Sequence, residues 1–310
     1  MSISILKGIH RRVLGLSKDD QLMSRNGFVS GGDGKPAIVW PSPDTVAVFD
    51  DFLTDGSGIG MSDTGLHTMV INDTGIAGQF FYSKTGDTGV KGGLVAGTNG
   101  VYRITSSATI TTATPEGSSR GVVGKQLAWK ANQGPGGQSG RMRFGARIKA
   151  SQYPTATSGD WAGMFLGFTD SGGHETPVYD TGRSGDSGAS AVTLASNLVG
   201  FLWGTGGDTG WRGVSAKSTA GDSGDQQVTL TTVAPTANVW TTLEVEVHRG
   251  GSDTGGTATF YVDGQAKGTI FSPIASSVAM TPCVYFHDTG GATNLDIDWI
   301  NVSAPRDTGI

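Results

Sequence analysis

The stretch that most constrains the fold is residues 140–168. Apolar and cationic residues alternate along its first half: Met142, Phe144, Ala146, Ile148 and Ala150 share one side, while Arg141, Arg143, Arg147 and Lys149 share the other. A period of two predicts a β-strand with one buried face and one face in water. Residues 161–168 are apolar on both faces, which is typical of a strand covered on both sides. Together the two segments predict a two-layer β sandwich.

The same pattern continues along most of the chain. Short apolar segments separated by turn residues predict strands at 46–53, 67–71, 79–82, 101–105, 108–112, 121–129, 140–150, 161–169, 197–203, 210–217, 226–233, 239–248, 257–270, 281–287 and 294–302. Asp263-Gly264 predicts a two-residue type I′ turn. Short strands with turn signals between them predict one all-β, antiparallel sandwich over residues 46–303, followed by a C-terminal tail at 304–310.

Composition excludes several classes of protein. Charged residues make up only 16% of the chain and the net charge is −5, which argues against general nucleic-acid binding. No run of 18 apolar residues exists, so no membrane span is expected. Cys283 is the one cysteine, and no histidine pair has metal-ligand spacing. We therefore expect no internal disulfide, no metal site and no cofactor.

Residues 1–45 are predicted to form an extended N-terminal arm. Its first part has one apolar helical stripe opposite basic residues, and 17–45 are polar and irregular, rich in Gly and Pro. The segment is either short and frayed or an arm that becomes ordered against a partner. In the second case the expected contact residues are Ile5, Leu6, Lys7, Ile9, Arg11, Arg12 and Val13. No apolar core follows the basic residues, so no secretory signal is expected.

Two repeated motifs resemble protease signatures. Asp-Thr-Gly occurs eight times, and Gly-Asp-Ser-Gly occurs at 185–188 and 221–224. An aspartic protease needs two carboxylates that share a proton, and a serine protease needs a histidine and a buried aspartate. Irregular spacing and Gly/Ser-rich surroundings favour turns instead.

Four segments carry a resemblance to a known family. Residues 140–149 with 161–168, Trp240-Thr-Thr-Leu-Glu-Val-Glu-Val247, Ala258-Thr-Phe-Tyr-Val-Asp-Gly264 and Leu295-Asp-Ile-Asp-Trp-Ile-Asn-Val302 resemble core strands of concanavalin A-like lectin/glucanase domains, in the order that family uses. The resemblance covers roughly residues 45–303. It implies a jelly-roll type antiparallel β sandwich.

The same resemblance bears on catalysis. Laminarinase-type hydrolases of this fold carry a Glu-x-Asp-x-x-Glu arrangement on one strand, which supplies a nucleophile and an acid for retaining hydrolysis. The corresponding segment here, residues 197–203, contains no carboxylate. Glu244 and Glu246 share a face of a later strand, where we expect them to be charge partners of the basic face of 141–149. No catalytic residue is therefore assigned.

A narrower resemblance concerns the layout of the chain. A short basic N-terminus, a Gly/Pro-rich segment, the opening Phe49-Asp-Asp-Phe-Leu53 and a lectin-like sandwich are similar to structural proteins of tailed-bacteriophage virions. This implies a non-enzymatic capsid decoration protein at the virion surface. Its expected partners are the major capsid protein or other virion proteins and further copies of itself.

Two other functions stay open. A carbohydrate-binding module of a tail fibre or baseplate would need exposed aromatic side chains, and Trp211, beside Gly210 and Arg212, is the candidate for glycan stacking. Trp161 and Trp203 have apolar neighbours, which favours core packing. A laminarinase-like glycoside hydrolase would have to use unusual carboxylates, such as Glu244 and Glu246.

Overall fold

A computed structural model describes residues 28–30, 36–38, 45–50, 67–68, 80–84, 91–95, 101–105, 120–124, 129–131, 141–153, 163–170, 196–204, 210–217, 226–248, 256–274, 278–287 and 293–305. Across these ranges the chain forms strands and connections without any helix. The described part accordingly offers no helix long and apolar enough to cross a membrane.

The strands follow one another along the whole chain. They are β1 (Phe28–Ser30), β2 (Pro36–Ile38), β3 (Thr45–Asp50), β4 (His67–Thr68), β5 (Phe80–Lys84), β6 (Lys91–Leu94), β7 (Tyr102–Thr105), β8 (Arg120–Gly124), β9 (Arg141–Ala150), β10 (Gly163–Thr169), β11 (Asn197–Gly204), β12 (Arg212–Lys217), β13 (Gln226–Thr229), β14 (Thr241–His248), β15 (Thr257–Val262), β16 (Gln265–Phe271), β17 (Thr281–His287) and β18 (Asn294–Pro305).

Two large antiparallel sheets contain most of these strands. One, the β10 sheet, has the order β13-β12-β11-β10-β17-β8-β5-β4. The other, the β9 sheet, has the order β16-β15-β14-β9-β18-β7-β6, and β3 also pairs with β18. Strands that are neighbours in the chain often pair directly, as β10 does with β11 and β14 with β15. The predicted all-β antiparallel architecture is confirmed.

The core lies between the two sheets. The five apolar residues predicted for the inner side of β9 are all fully buried. They meet the inner residues of the β10 sheet: the ring centroids of Phe144 and Phe168 lie 5.9 Å apart, and those of Phe201 and Phe260 lie 5.4 Å apart. Because each pair joins one residue from each sheet, the sheets form the two layers of a sandwich.

Strand β10 is buried on both faces, as predicted. Met164, Leu166 and Phe168 belong to the main core, whereas Phe165 belongs to a second buried cluster on the opposite face of the sheet. Trp161, which precedes this strand, lies outside the described residues.

The Asp263-Gly264 turn joins β15 to β16 as a two-residue hairpin. Asp263 has φ 50° and Gly264 has φ 74°, and Val262 pairs with Gln265 across the turn. Two positive φ values in succession define the type I′ geometry. The Asp263 carboxylate also accepts a hydrogen bond from the Thr242 backbone N–H at 2.8 Å, which ties the turn to β14. The predicted turn is confirmed.

Three strand boundaries differ from the prediction. Strand β6 was not predicted, because Gly92-Gly93 interrupts any apolar pattern. Strands β1 and β2 pair with each other within the segment predicted to be irregular. Strand β18 extends to Pro305, past the predicted domain boundary at 303, because its last six residues pair with β3.

Candidate functional site

Most polar side chains that the structure brings together lie on the outer face of the β9 sheet. We call this surface the charged face and define it by Arg103, Arg141, Arg143, Arg147, Lys149, Glu244, Glu246, Asp296 and Asp298, with the aromatic residues Trp240, Tyr261 and Trp299 among them. Successive residues of a strand point to opposite sides, so the alternation that buries one side of β9 also presents its cations here.

Strand β14 supplies the first set of partners. Arg143 contacts Glu244 at 3.1 Å and Arg141 contacts Glu246 at 3.4 Å. Arg143 pairs directly with Glu246 in the strand register, so each ion pair runs diagonally to the next outward residue. Long side chains reach such diagonal neighbours. The predicted pairing of Glu244 and Glu246 with the basic side of β9 is confirmed.

Strand β18 supplies the second set. Arg103 on β7 donates to Asp296 from Nε at 2.6 Å and from Nη2 at 2.8 Å, and Lys149 contacts the same carboxylate at 3.3 Å. Arg147 donates to Asp298 at 2.7 Å. The hydrogen bond from Asp296 raises the pKa of Arg103 above its ordinary value. Two cations thus hold one carboxylate whose side chain is only 4% exposed.

A β-bulge makes this arrangement fit. The register between β18 and β9 shifts between Ile297 and Trp299, which inserts Asp298 as an extra residue. Trp299 then pairs with Arg147 and turns its ring across Gly145, where a Cβ atom would lie 3.2 Å from the ring. The absence of a side chain at Gly145 therefore makes room for the indole of Trp299.

Two half-buried aromatic residues lie beside the cations. The ring of Trp240 has the Arg147 guanidinium 5.1 Å and the Lys149 ammonium 4.7 Å from its centroid. Tyr261, which pairs with Glu244, lies 6.0 Å from the Arg143 guanidinium, and burial raises its pKa. Cations near an aromatic face are held by the ring quadrupole. Neither aromatic residue was predicted as a site residue, although the alternation of β15 places Tyr261 outward.

The charges on this face nearly cancel. Five cations oppose four carboxylates, and each carboxylate contacts at least one cation. A polyanion would meet almost no net positive charge here. Chemically, the face offers planar hydrogen-bonding groups and aromatic surface, with its carboxylate oxygens already bonded to the sheet.

The outer face of the β10 sheet has the opposite character. It carries a buried apolar cluster of Phe165, Leu198, Leu202, Val214, Ala216, Cys283 and Tyr285. Burial raises the pKa of the free Cys283 thiol to about 12. A thiol in this state is a poor nucleophile at neutral pH. Cys283 therefore serves as a small apolar core residue.

Strand β11 corresponds to the catalytic strand of the sugar hydrolases that the sequence resembles. Its outward positions are Leu198, Gly200 and Leu202, and all three are buried. A Cβ atom at Gly200 would lie 2.3 Å from the backbone oxygen of Leu166, so this position accepts no side chain. The strand thus has neither a carboxylate nor the space for one at its centre.

The expected surface role of Trp211 is wrong. Trp211 is 1% exposed and lies in the main core, with its ring centroid 6.0 Å from that of Trp203 and 6.1 Å from that of Tyr153. A ring enclosed in this way has no free face for a sugar. The polar flanks Gly210 and Arg212 misled the prediction, because the tertiary packing that covers the ring comes from distant strands. Trp203 is 4% exposed, which confirms its predicted core position.

Other predicted features lie outside the described residues. These are the arm residues Ile5, Leu6, Lys7, Ile9, Arg11, Arg12 and Val13, the Asp-Thr-Gly triplets and both Gly-Asp-Ser-Gly segments. Among the side chains that the structure describes, no three His, Cys, Asp or Glu residues come together as a metal ion would require.

No protein-family model matches the sequence, and no curated protein matches it. Similar solved structures include a protein of unknown function from Shewanella oneidensis MR-1, 14% identical, covering 86% of this chain and 89% of that one, with a TM-score of 0.49. An endo-1,3-β-glucanase from Streptomyces sioyaensis is 14% identical, with 86% and 99% coverage and a TM-score of 0.49. Peanut lectin is 12% identical, with 84% and 97% coverage and a TM-score of 0.45. The sandwich fold itself rests on the strand pairing and core described above.

Proposed function

We propose that the protein is a non-enzymatic structural component of a tailed-bacteriophage virion, and specifically a decoration protein on the capsid surface. Residues 1–45 attach it to the major capsid protein or to other virion proteins, and the sandwich packs against its own copies. The proposal starts from the resemblance of the chain's layout to virion structural proteins.

The observation that carries the non-enzymatic part is the outer face of β11. Retaining hydrolysis of a glycoside needs two carboxyl groups about 5 Å apart across the scissile bond. The strand that bears them in the hydrolases presents Leu198, Gly200 and Leu202 here, all buried. The carboxylates of the charged face are bonded to arginine and lysine instead. The scaffold thus supports a surface for association better than a catalytic cleft.

The position of β3 supports attachment through the arm. Thr45 pairs with Pro305, so the N-terminal segment leaves the sandwich beside the end of the last strand. Strand β3 pairs with β18 alone among the described strands and therefore lies at the border of its sheet. An arm that starts there is able to order on a partner without opening the core. If it spans several capsid subunits, the linked contacts multiply its avidity.

Deletion of residues 1–40 tests this function. The truncation keeps β3 whole, so the sandwich should fold normally, as shown by an unchanged near-UV circular dichroism spectrum. We expect it to lose co-sedimentation with capsids of the source phage prepared without this protein, while the full chain still binds. Normal capsid binding by a folded truncation would refute attachment through the arm.

A carbohydrate-binding module is the second candidate, and the charged face is the observation that favours it. Trp240 and Tyr261 offer half-exposed rings beside arginine and glutamate side chains, a combination suited to stacking on a sugar ring and bonding its hydroxyls. A glycan array with the full chain and with Trp240→Ala tests this. Binding that the substitution removes supports the module, and an array without any ligand rejects it.

The hydrolase alternative has its own assay. We expect no release of reducing sugar from β-1,3-glucan by the full chain. Turnover that disappears in Glu244→Gln or Glu246→Gln would overturn the non-enzymatic proposal, whatever the capsid experiment shows.

A further inference from the structure

Strand β16 is an open edge of the β9 sheet. It pairs with β15 on one side and, among the described strands, with no other. Five of its seven residues are exposed, Gly268 is half-buried and Ile270 is buried. Phe271 at its end is 70% exposed, which is unusual for a phenylalanine in a described strand of this protein. An unpaired strand edge with an exposed aromatic ring is a template for pairing with another chain.

The hydrogen bonds at the end of β16 show which backbone groups face the free edge. The Ser272 N–H donates to the Gly256 carbonyl at 2.7 Å, so Ser272 faces β15. The Phe271 carbonyl accepts a hydrogen bond from the Gln226 side chain at 2.9 Å, so Phe271 faces away from β15. Backbone groups alternate along a strand, which directs those of Thr269 to the free edge as well.

One half of this edge is protected and the other is open. At its start, β16 carries the cation Lys267 next to a β-bulge opposite Phe260 and Tyr261. Lysines and bulges are devices that discourage edge-to-edge pairing. From Gly268 to Phe271 the strand has neither a charge nor a proline. The open half therefore ends at the exposed ring of Phe271.

We propose that two copies of the chain pair through β16, antiparallel and about a two-fold axis at Thr269. Thr269 exchanges backbone hydrogen bonds with Thr269 of the second copy. In the same register Lys267 of each copy lies opposite Phe271 of the other. Because Lys267, Thr269 and Phe271 share one side of the strand, the ammonium group reaches the ring in both symmetric halves.

This complementarity is why a second copy fits better than an unrelated peptide. A two-fold interface must be self-complementary, and the register at Thr269 brings the one cation of the strand to its one aromatic ring twice. It also turns the residue that protects the edge into an attractive contact. The exposed Gln226 bond to the Phe271 carbonyl is replaced in the dimer by a backbone bond from the second copy.

Sedimentation velocity of the full chain at micromolar concentration tests the proposal. We expect a species of twice the chain's 31.9 kDa. Phe271→Lys places two cations opposite each other and should give a species of one chain mass. Adding Lys267→Glu to Phe271→Lys should restore the dimer, because lysine then faces glutamate. Val233→Ser is the matched control: Val233 is 74% exposed in the connection 230–240, which bonds to Ala150 at the far end of β9, and its loss should leave the dimer intact.

Each other outcome counts against the pairing. A monomeric or trimeric full chain refutes it, and so does a dimer that survives Phe271→Lys with an unchanged circular dichroism spectrum. A Phe271→Lys monomer that Lys267→Glu fails to rescue refutes the register at Thr269. Since no capsid is present, the result is independent of the arm-deletion experiment.

Discussion

Asp296 on β18 is held by Arg103 on β7 through two hydrogen bonds of 2.6 and 2.8 Å, although the two residues are 193 positions apart in the chain. The carboxylate is 4% exposed and the guanidinium-bearing side chain 39% exposed. Removing one member of a buried pair leaves the other charge without compensation, whereas the loss of a solvated pair changes little. The charged face contains both kinds of pair, which allows a direct comparison.

Asp296→Asn should therefore lower the free energy of unfolding by about 3 kcal/mol, at the lower end for a buried pair because Arg103 is partly solvated. Asp298→Asn is the matched control, since Asp298 is 25% exposed and contacts only Arg147 among the ion pairs. We expect this control to lose less than about 1 kcal/mol. Urea unfolding of both variants measures the difference. Equal losses would show that burial of Asp296 has no energetic consequence.

The burial of Trp211 leads to a prediction about the core. Trp211→Ala should destabilise the sandwich by about 3–5 kcal/mol, because it leaves a cavity beside Tyr153 and Trp203. Trp240→Ala on the charged face should lose about 1 kcal/mol, mainly its contact with Arg147 and Lys149. Thermal and urea unfolding check both. If the two variants were equally stable, the placement of Trp211 in the core would be wrong.

The turn between β15 and β16 predicts a backbone effect. Gly264→Ala should cost about 1 kcal/mol, because a Cβ atom disfavours the φ of 74° found there. Asp263→Asn serves as the control, since asparagine tolerates positive φ and keeps an oxygen for the Thr242 N–H. Denaturant midpoints of the two variants measure the contrast. A stable Gly264→Ala protein would contradict the type I′ geometry.

Two buried acids predict a loss of stability at alkaline pH. Burial raises the pKa of Cys283 from 9.0 to about 12 and that of Tyr153 from 10.0 to about 12. In the unfolded chain both groups ionise at the lower values, so between pH 9 and about 12 the unfolded state binds fewer protons. Stability is therefore complete below pH 9 and falls as the pH rises toward 12.

Denaturant unfolding of the full chain and of Cys283→Ala at several alkaline pH values measures this dependence. The substitution should remove the part of the slope that begins near pH 9, leaving the part due to Tyr153. Identical slopes in both proteins would mean that the Cys283 thiol is accessible to water. Slow alkylation of Cys283 in the native protein and fast alkylation in denaturant provide an independent check.

Local pattern was sufficient for much of the fold and for part of the charged face. The alternation in β9 predicted both its buried and its cationic side, and the outward glutamates of β14 were predicted as partners for the cations. Strand β6 was missed because Lys91-Gly-Gly-Leu94 has no apolar alternation; it is a strand because it pairs with β7. Trp240 and Tyr261 were missed as surface residues because their role depends on neighbours in other strands.

The sequence by itself determined which side of each strand enters the core, because Cβ atoms alternate along any extended chain. It also determined the hairpin at Asp263-Gly264, where backbone conformation depends on the two residues themselves. Only the tertiary structure decided which cation meets which carboxylate and which tryptophan is enclosed. Arg103 meets Asp296 because β7 pairs with β18, and Trp211 is buried because Tyr153 and Trp203 pack around it. Such contacts depend on register and packing between distant segments, about which neighbouring residues carry no information.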